Sequence, residues 1–131
     1  MGERKAVIVG AGIGGLAAAI ALGRRGWHVT VLERAPALRE VGAGISLWPN
    51  AIRALDLLGV GDRVREYGAV EGAGGFRDAR GRWLFRSELR TRYGDSLMLR
   101  RSVLLDILSS AVPADRIRLD TEVAVDAMPT R

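Results

Sequence analysis

A chain of 131 residues can form one compact domain and is too short for two domains of ordinary size. Its composition, with 48% hydrophobic and 27% charged residues, is typical of a globular protein and excludes a low-complexity chain. The absence of cysteine excludes disulfides, thiolate metal sites and cysteine nucleophiles, and it suits a cytoplasmic protein.

The net charge of +5 comes almost entirely from arginine, because Lys5 is the only lysine. The excess of positive charge is concentrated between residues 77 and 101. This segment contains three acidic residues and eight arginines: Arg77, Arg80, Arg82, Arg86, Arg90, Arg92, Arg100 and Arg101. Such a segment can be a solvated surface, a groove for a phosphate-bearing cofactor or a nucleic-acid site. No nucleic-acid-binding motif and no interleaved aromatic residues accompany it, so we expect no nucleic-acid partner.

Residues 6–23 form an uncharged run whose length is close to the roughly twenty residues of a transmembrane helix. Gly10, Gly12, Gly14 and Gly15 fall inside this run, and four glycines so close together disfavour an apolar helix or a signal sequence. We therefore expect neither a membrane span nor a membrane partner.

The run is better divided into a strand and a helix, followed by a second strand. Residues 6–9 are apolar and mostly β-branched, as in a buried parallel strand, and residues 13–25 are rich in alanine and leucine. Gly26 ends the helix, and residues 29–32 form the second strand. The order predicts a βαβ unit with parallel strands and a right-handed crossover.

The glycine spacing in this unit is that of a dinucleotide-binding turn. Gly10 permits a tight turn, Gly12 lets a pyrophosphate approach the backbone, and Gly15 lets the helix pack on the sheet. Glu33 ends the second strand, where its carboxylate can bind both ribose hydroxyls and repel a 2′-phosphate. This pattern favours FAD or NAD over NADP, and the alternative is a structural glycine turn. His28 lies at the opposite end of its strand and is interpreted as structural.

The segment after Glu33 departs from a simple NAD-binding domain, in which another strand and crossover helix would follow soon. Instead, a long loop around Gly42 and Gly44 leads to Asn50, which is predicted to cap a helix over residues 51–58 that ends at Gly59. Asp62 is predicted to cap a short turn that runs to Tyr67.

Three segments of the chain resemble the FAD-dependent aromatic-ring monooxygenases of the para-hydroxybenzoate and salicylate hydroxylase type. They are GAGIGGLAAAIALGRRGWHVTVLERAP at residues 10–36, REVGAGISLWPNAIRALDLLGV at residues 39–60 and LRRSVLLDIL at residues 99–108. The resemblance implies an α/β fold: a Rossmann-like FAD-binding βαβ domain with a parallel sheet, plus the start of an antiparallel substrate-side sheet. Residues 1–131 would be the N-terminal part of that domain, and residues 67–98 the probable beginning of the substrate-side β segment.

The resemblance also implies roles for individual residues. Glu33 would bind the adenosine ribose, Arg34 would lie on the adenine side, and Arg101, at a helix start followed by Leu104 and Leu108, would reach the ribityl or phosphate oxygens. Val123, within a strand over residues 122–125, would touch adenine, or it is simply a core residue. The pyrophosphate would lie against the backbone of the glycine-rich turn: Gly10, Gly12, Ile13, Gly14 and Gly15. The turn GAGIS at residues 42–46 would lie near the flavin edge, or its glycines serve only as loop residues.

The implied activity is that of an NAD(P)H-dependent flavoprotein monooxygenase, which hydroxylates an aromatic or polycyclic small molecule with O₂ through a flavin hydroperoxide. The alternatives are another FAD-dependent oxidoreductase, of oxidase or halogenase type, and a non-catalytic dinucleotide-binding module. No residue is assigned as catalytic and no metal is expected. The later Asp-Gly and Gly-Asp segments of the family are absent, so we expect a missing C-terminal part or a second chain to complete the fold.

The middle of the chain predicts a β-hairpin over residues 69–86, with its turn at residues 78–81. Trp83 and Phe85 alternate with charged residues, as on a half-buried antiparallel sheet. Tyr93 is interpreted as a packed core residue rather than a cavity residue.

Overall fold

A computed structural model describes residues 4–38, 43–70, 74–86 and 95–124. These residues divide into two units, one made of residues 1–41 with 105–131 and the other of residues 42–104. The predictions for Gly42, Tyr93 and Val125 lie outside the described residues.

The first unit contains the predicted βαβ arrangement. Strand β1 (Lys5–Val9) leads into helix α1 (Ile13–Gly23), and strand β2 (His28–Leu32) returns parallel to β1, with Val7 opposite Thr30. The helix ends in a turn at Gly26, whose φ of +78° favours glycine. A short strand, β8 (Ile117–Arg118), lies parallel to the other edge of β2, which gives the strand order β1-β2-β8.

The core of the first unit lies between α1 and one face of this sheet. Leu16 and Val31 are completely buried, and Ala19 and Val29 nearly so, because small residues on α1 allow the helix to approach the strands. The other face of β1 is open: Val7 and Val9 are each 65% exposed. One face of β1 is therefore uncovered within the described residues, whereas the same face of β2 is half-buried.

The second unit is built on an antiparallel sheet. Strand β3 (Gly44–Leu47) and strand β4 (Ala69–Val70) both pair with β7 (Leu97–Arg100), which is the central strand. Between β3 and β4 come helix α2 (Pro49–Leu57) and helix α3 (Gly61–Tyr67). The two helices are joined by a bidentate pair, in which Arg65 donates to Asp56 at 2.6 and 2.7 Å.

The predicted hairpin is present in part, as β5 (Gly75–Arg77) and β6 (Trp83–Arg86), whereas residues 69–70 at its predicted beginning pair with β7 instead. Its turn is held by the Asp78 carboxylate, which accepts hydrogen bonds from the N–H groups of Arg80 and Arg82, both at 2.9 Å. The expectation of a half-buried sheet is wrong, because every residue of both strands is exposed. Trp83 is covered instead by the Arg77 guanidinium, which lies 4.0 Å from its ring centroid.

Helix α4 (Arg101–Ser110) begins at the predicted arginine, and Leu104 and Leu108 are buried as its spacing indicates. A single 3₁₀ turn (Ala114–Arg116) then precedes β8. No helix within the described parts of the chain has both the length and the apolar character that crossing a membrane requires.

Four predicted features are wrong in detail. Residues 44–47 form β3 rather than loop, because their partner β7 lies about fifty residues later and local sequence does not reveal it. Helix α2 starts at Pro49 with Trp48 as its N-cap, since proline is favoured in the first helical position, and Asn50 is already inside the helix. Helix α3 is capped by Val60 and not by Asp62. Residues 122–124 are not in a strand, and the chain pairs with β2 earlier, at β8.

Candidate functional site

The turn between β1 and α1 is fixed by the backbone of Gly10. This residue has a φ of +98°, a conformation that side-chain-bearing residues rarely adopt, and its N–H donates to the Leu32 carbonyl at 2.7 Å. The bond joins the beginning of the turn to the end of β2. The role predicted for Gly10, a tight turn, is therefore what its geometry requires.

Gly12 and Gly15 lack side chains for two different reasons. A Cβ added to Gly12 would meet no atom within 4 Å, so this position opens onto free space. A Cβ added to Gly15 would overlap the carbonyl oxygen of Gly10 and lie 3.4 Å from the Ile8 side chain. Gly15 thus permits close packing of helix on strand, whereas Gly12 leaves room for a group from outside the chain.

The open position at Gly12 lies at the beginning of α1. Gly12 is the N-cap residue in an extended conformation, and the first helical hydrogen bond runs from the Leu16 N–H to the Gly12 carbonyl at 2.9 Å. The preceding N–H groups, including those of Ile13 and Gly14, have no carbonyl one turn earlier to bind. Together with the helix dipole, these donors favour an anion at this end of the helix.

Glu33 follows β2 directly and binds two backbone N–H groups. One carboxylate oxygen accepts from Ala11 at 2.8 Å, and the other accepts from Ala35 at 2.9 Å. These two bonds, first that of Ala11 and then that of Ala35, hold the pKa of Glu33 below its ordinary value, and the positive charge of Arg34 acts in the same direction. The carboxylate is therefore ionised at neutral pH.

The segment around Glu33 is anchored from its other side by residues 118–121. The Glu33 N–H donates to the Arg118 carbonyl at 2.9 Å, and the Thr121 N–H donates to the Glu33 carbonyl at 2.9 Å. The Asp120 N–H donates to the Ala35 carbonyl at 3.1 Å, with Asp120 in a left-handed conformation at a φ of +51°. The position of the carboxylate is thus determined by backbone bonds on three segments.

Most of the predicted site residues fall in the first unit. Besides the glycine-rich turn and Glu33, it contains Arg34, which is exposed, and Val123, which is 38% exposed in an irregular segment. Arg101 is exposed at the first position of α4 and belongs to the second unit, where its N–H donates to the Ala43 carbonyl at 3.3 Å.

Sequence reasoning missed the backbone partners of Glu33. Ala11 and Ala35 contribute N–H groups, which every residue except proline carries, so no side-chain pattern marks them. The only available signal was their position, one inside the glycine-rich turn and the other two residues after the acid.

These features fit a nucleotide that carries a diphosphate. The open position at Gly12 and the N–H groups at the beginning of α1 suit the phosphates. The ionised carboxylate of Glu33, at the end of the neighbouring strand, suits ribose hydroxyls. The fold and the site therefore define a dinucleotide-binding βαβ unit.

The family can be stated more closely. The model of the FAD binding domain family matches residues 3–128, which is nearly the whole chain, and the chain belongs to this family. This match confirms the predicted resemblance, and the mixed α/β architecture, with one parallel sheet and antiparallel sheets, matches the fold of structurally similar flavoproteins.

Relatives of the chain include enzymes and a cofactor-bound structure. It is 59% identical over 59 residues to 3-hydroxybenzoate 6-hydroxylase of Polaromonas naphthalenivorans, covering 45% of this chain and 15% of that protein. It is 40% identical over 127 residues to Monooxygenase 1 of Arabidopsis thaliana, covering 94% and 31%. Klebsiella pneumoniae HpxO complexed with FAD and uric acid superposes with a TM-score of 0.76 at 31% identity, covering 95% and 33%. The chain thus spans about a third or less of the length of these proteins.

Proposed function

We propose that this chain provides the site for the adenosine diphosphate half of FAD in an NAD(P)H-dependent flavoprotein monooxygenase that acts on an aromatic or polycyclic small molecule. The observation that carries the proposal is the open corner at Gly12, next to a helix N-terminus and to an ionised Glu33. A turn that served folding alone would need glycine at position 10, for the positive φ, and at position 15, for close packing, but not at position 12. The space at Gly12 has no role in the packing of the chain.

The residues of the first unit would share the work of binding. The N–H groups of Ile13 and Gly14 at the head of α1 would donate to the diphosphate, and Gly12 would let it approach the backbone. Glu33 would accept hydrogen bonds from the ribose hydroxyls, and its charge disfavours a 2′-phosphate on that ribose. Arg34 and Val123 would border the adenine.

The family resemblance also assigns a cofactor contact to Arg101, an exposed residue at the start of α4. A guanidinium carries its donors in a planar arrangement that suits phosphate or ribityl oxygens. We propose that Arg101 binds these oxygens of FAD.

Bound FAD would supply the redox chemistry, taking electrons from NADH or NADPH and enabling transfer of one oxygen atom of O₂ to the substrate. The chain itself would bind and orient the cofactor. The names of its relatives, which include a hydroxybenzoate hydroxylase and a uric acid complex, support a small aromatic or heteroaromatic substrate. The absence of cysteine supports a cytoplasmic location.

We also propose that residues 1–131 are the N-terminal part of the FAD-binding domain, with residues 67–98 beginning its substrate-side sheet, and that a further polypeptide segment, in the same or a second chain, completes the fold. Two observations support this: among the described residues β1 lies at the edge of its sheet, and Val7 and Val9 are largely exposed although their strand is apolar. Amide exchange along β1 tests the proposal.

The function is tested by calorimetric titration of the chain with FAD, NAD⁺ and NADP⁺ in parallel. We expect FAD to bind most tightly and NADP⁺ most weakly, because Glu33 would face the 2′-phosphate. Tighter binding of NAD⁺ than of FAD would contradict the proposal and would indicate a dehydrogenase-like site.

A further inference from the structure

We propose that Glu33 is a positioning residue, which holds the glycine-rich turn of residues 10–15 in its phosphate-binding shape before any cofactor arrives. The consequence for FAD binding rests on the proposed function, whereas the positioning itself is a property of the free chain. Contact with the ribose and positioning of the turn are separable roles of the same carboxylate.

The first argument is the burial of Ala11. This residue lies inside the turn and is only 2% exposed, so its N–H is remote from water and requires a partner within the protein. The Glu33 carboxylate supplies that partner at 2.8 Å. Without it, a buried donor would be left without an acceptor and the turn would have to rearrange.

The second argument is that few side-chain contacts hold the turn ahead of α1. Gly10 and Gly12 have no atoms within 4 Å of an added Cβ, and the other restraint there is the backbone bond from the Gly10 N–H to the Leu32 carbonyl. Glycine also loses more conformational freedom on ordering than any other residue. A fixed hydrogen bond in the middle of the turn therefore contributes strongly to its order.

The third argument is that Glu33 is itself immobilised. Its second carboxylate oxygen accepts from Ala35, and its backbone N–H and C=O bind Arg118 and Thr121. The Glu33 side chain thus ties the middle of the turn to this rigid segment, across 22 positions of sequence, in addition to the backbone bond between Gly10 and Leu32.

The Glu33 carboxylate can hold the turn and still accept hydrogen bonds from a ribose. An ionised carboxylate has about two acceptor positions on each oxygen. One position on each is occupied by a backbone N–H, at 2.8 and 2.9 Å, which leaves one on each for a ribose hydroxyl. The backbone bonds therefore orient the carboxylate for the ribose and hold the phosphate turn together.

The test is amide hydrogen exchange of the free chain, measured residue by residue by NMR. Glu33→Leu removes both acceptors at similar volume, and Glu33→Gln keeps one amide oxygen. We expect exchange at Ala11 to be faster by about tenfold or more in Glu33→Leu, with Glu33→Gln in between, while Ala19 in the middle of α1 keeps its protection. Glu66→Gln, the same change at an exposed position on α3, is the control and should leave Ala11 unchanged. Unchanged exchange at Ala11 in a folded Glu33→Leu variant would overturn the proposal.

If amide protection is lost throughout α1 in Glu33→Leu, the variant has lost more than the turn. The proposal is then tested by an acid titration of the wild-type chain, followed by NMR. The amide proton resonances of Ala11 and Ala35 should then move together as acid protonates Glu33, the ionisable group that both contact. Absence of a shift at Ala11 would also overturn the proposal.

A second experiment separates this inference from the proposed function. ADP and adenosine are titrated into the wild-type chain and Glu33→Gln. A positioning role predicts that the variant loses more affinity for ADP than for adenosine, because the phosphate turn is disturbed as well as the ribose contact. Equal losses would overturn the positioning role. If the wild-type chain binds neither probe while the exchange result holds, the proposed function fails and the positioning role stands.

Discussion

At the scale of single residues, the glycine-rich turn shows how far local sequence determines a site. The spacing predicts a different role for each of Gly10, Gly12 and Gly15. The geometry shows a positive φ at Gly10 and close packing at Gly15, and it shows open space at Gly12, whose contact with a pyrophosphate stays a prediction. These roles are predictable because each depends on the backbone within a few positions of the residue concerned.

The contacts of Glu33 were less predictable. Its place at the end of β2 follows from the sequence, and its ribose contact stays a prediction. Its bond to Ala11 depends on how β1 and β2 align, and its partner is a backbone N–H that any residue other than proline would supply. The position of Glu33 is therefore predictable from the sequence, whereas its hydrogen bond to the Ala11 N–H is not.

The lowered pKa of Glu33 has a consequence for stability against pH. Because the folded-state pKa lies below the unfolded value of about 4.3, the ionised carboxylate stabilises the fold above that pH, and this contribution is lost as pH falls through the folded pKa. We expect thermal unfolding to show wild type more stable than Glu33→Gln at neutral pH. The difference should shrink as pH falls below about 4.3. A difference independent of pH would show that the ionised form has no special role.

At the scale of elements, the sequence predicted those whose signals are local. β1, α1, β2 and α4 were placed to within a few residues, because apolar runs, glycine stops and helical spacing mark them directly. The second unit was predicted less well. The local sequence predicts a loop at β3, because only four residues pair there and their partner β7 is distant in sequence.

The amides of strand β1 can show whether a further polypeptide segment is needed to complete the fold. Its pairing with β2 uses the backbone of alternate residues, since the Arg4 carbonyl accepts from His28 and the Gly10 N–H donates to Leu32, both at 2.7 Å. The N–H groups of Val7 and Val9 therefore point to the outer edge. In the 131-residue chain we expect these two amides to exchange faster than that of Ile8 by about tenfold or more. Equal protection along β1 would show that its edge is already covered and would contradict the need for another segment.

At the scale of the whole molecule, family and fold were predicted correctly from three short segments that cover about half of the chain. The substrate was predicted only as a class. The chain spans about a third or less of the relatives described above. The glycine-rich turn and Glu33 lie in one unit, as the βαβ pattern predicts, and their contacts with FAD stay predictions.

The central claim, that the open corner at Gly12 receives the FAD diphosphate, is tested most directly by titrating FAD into two matched variants. Gly12→Ala and Gly23→Ala make the same change at opposite ends of α1, and in both the added Cβ meets no atom within 4 Å, so both should fold. We expect Gly12→Ala to weaken FAD binding by about tenfold or more, which corresponds to about 1.4 kcal/mol, and Gly23→Ala to bind as wild type does. Equal affinity in the two variants would show that the diphosphate does not lie at Gly12 and would contradict the proposed site.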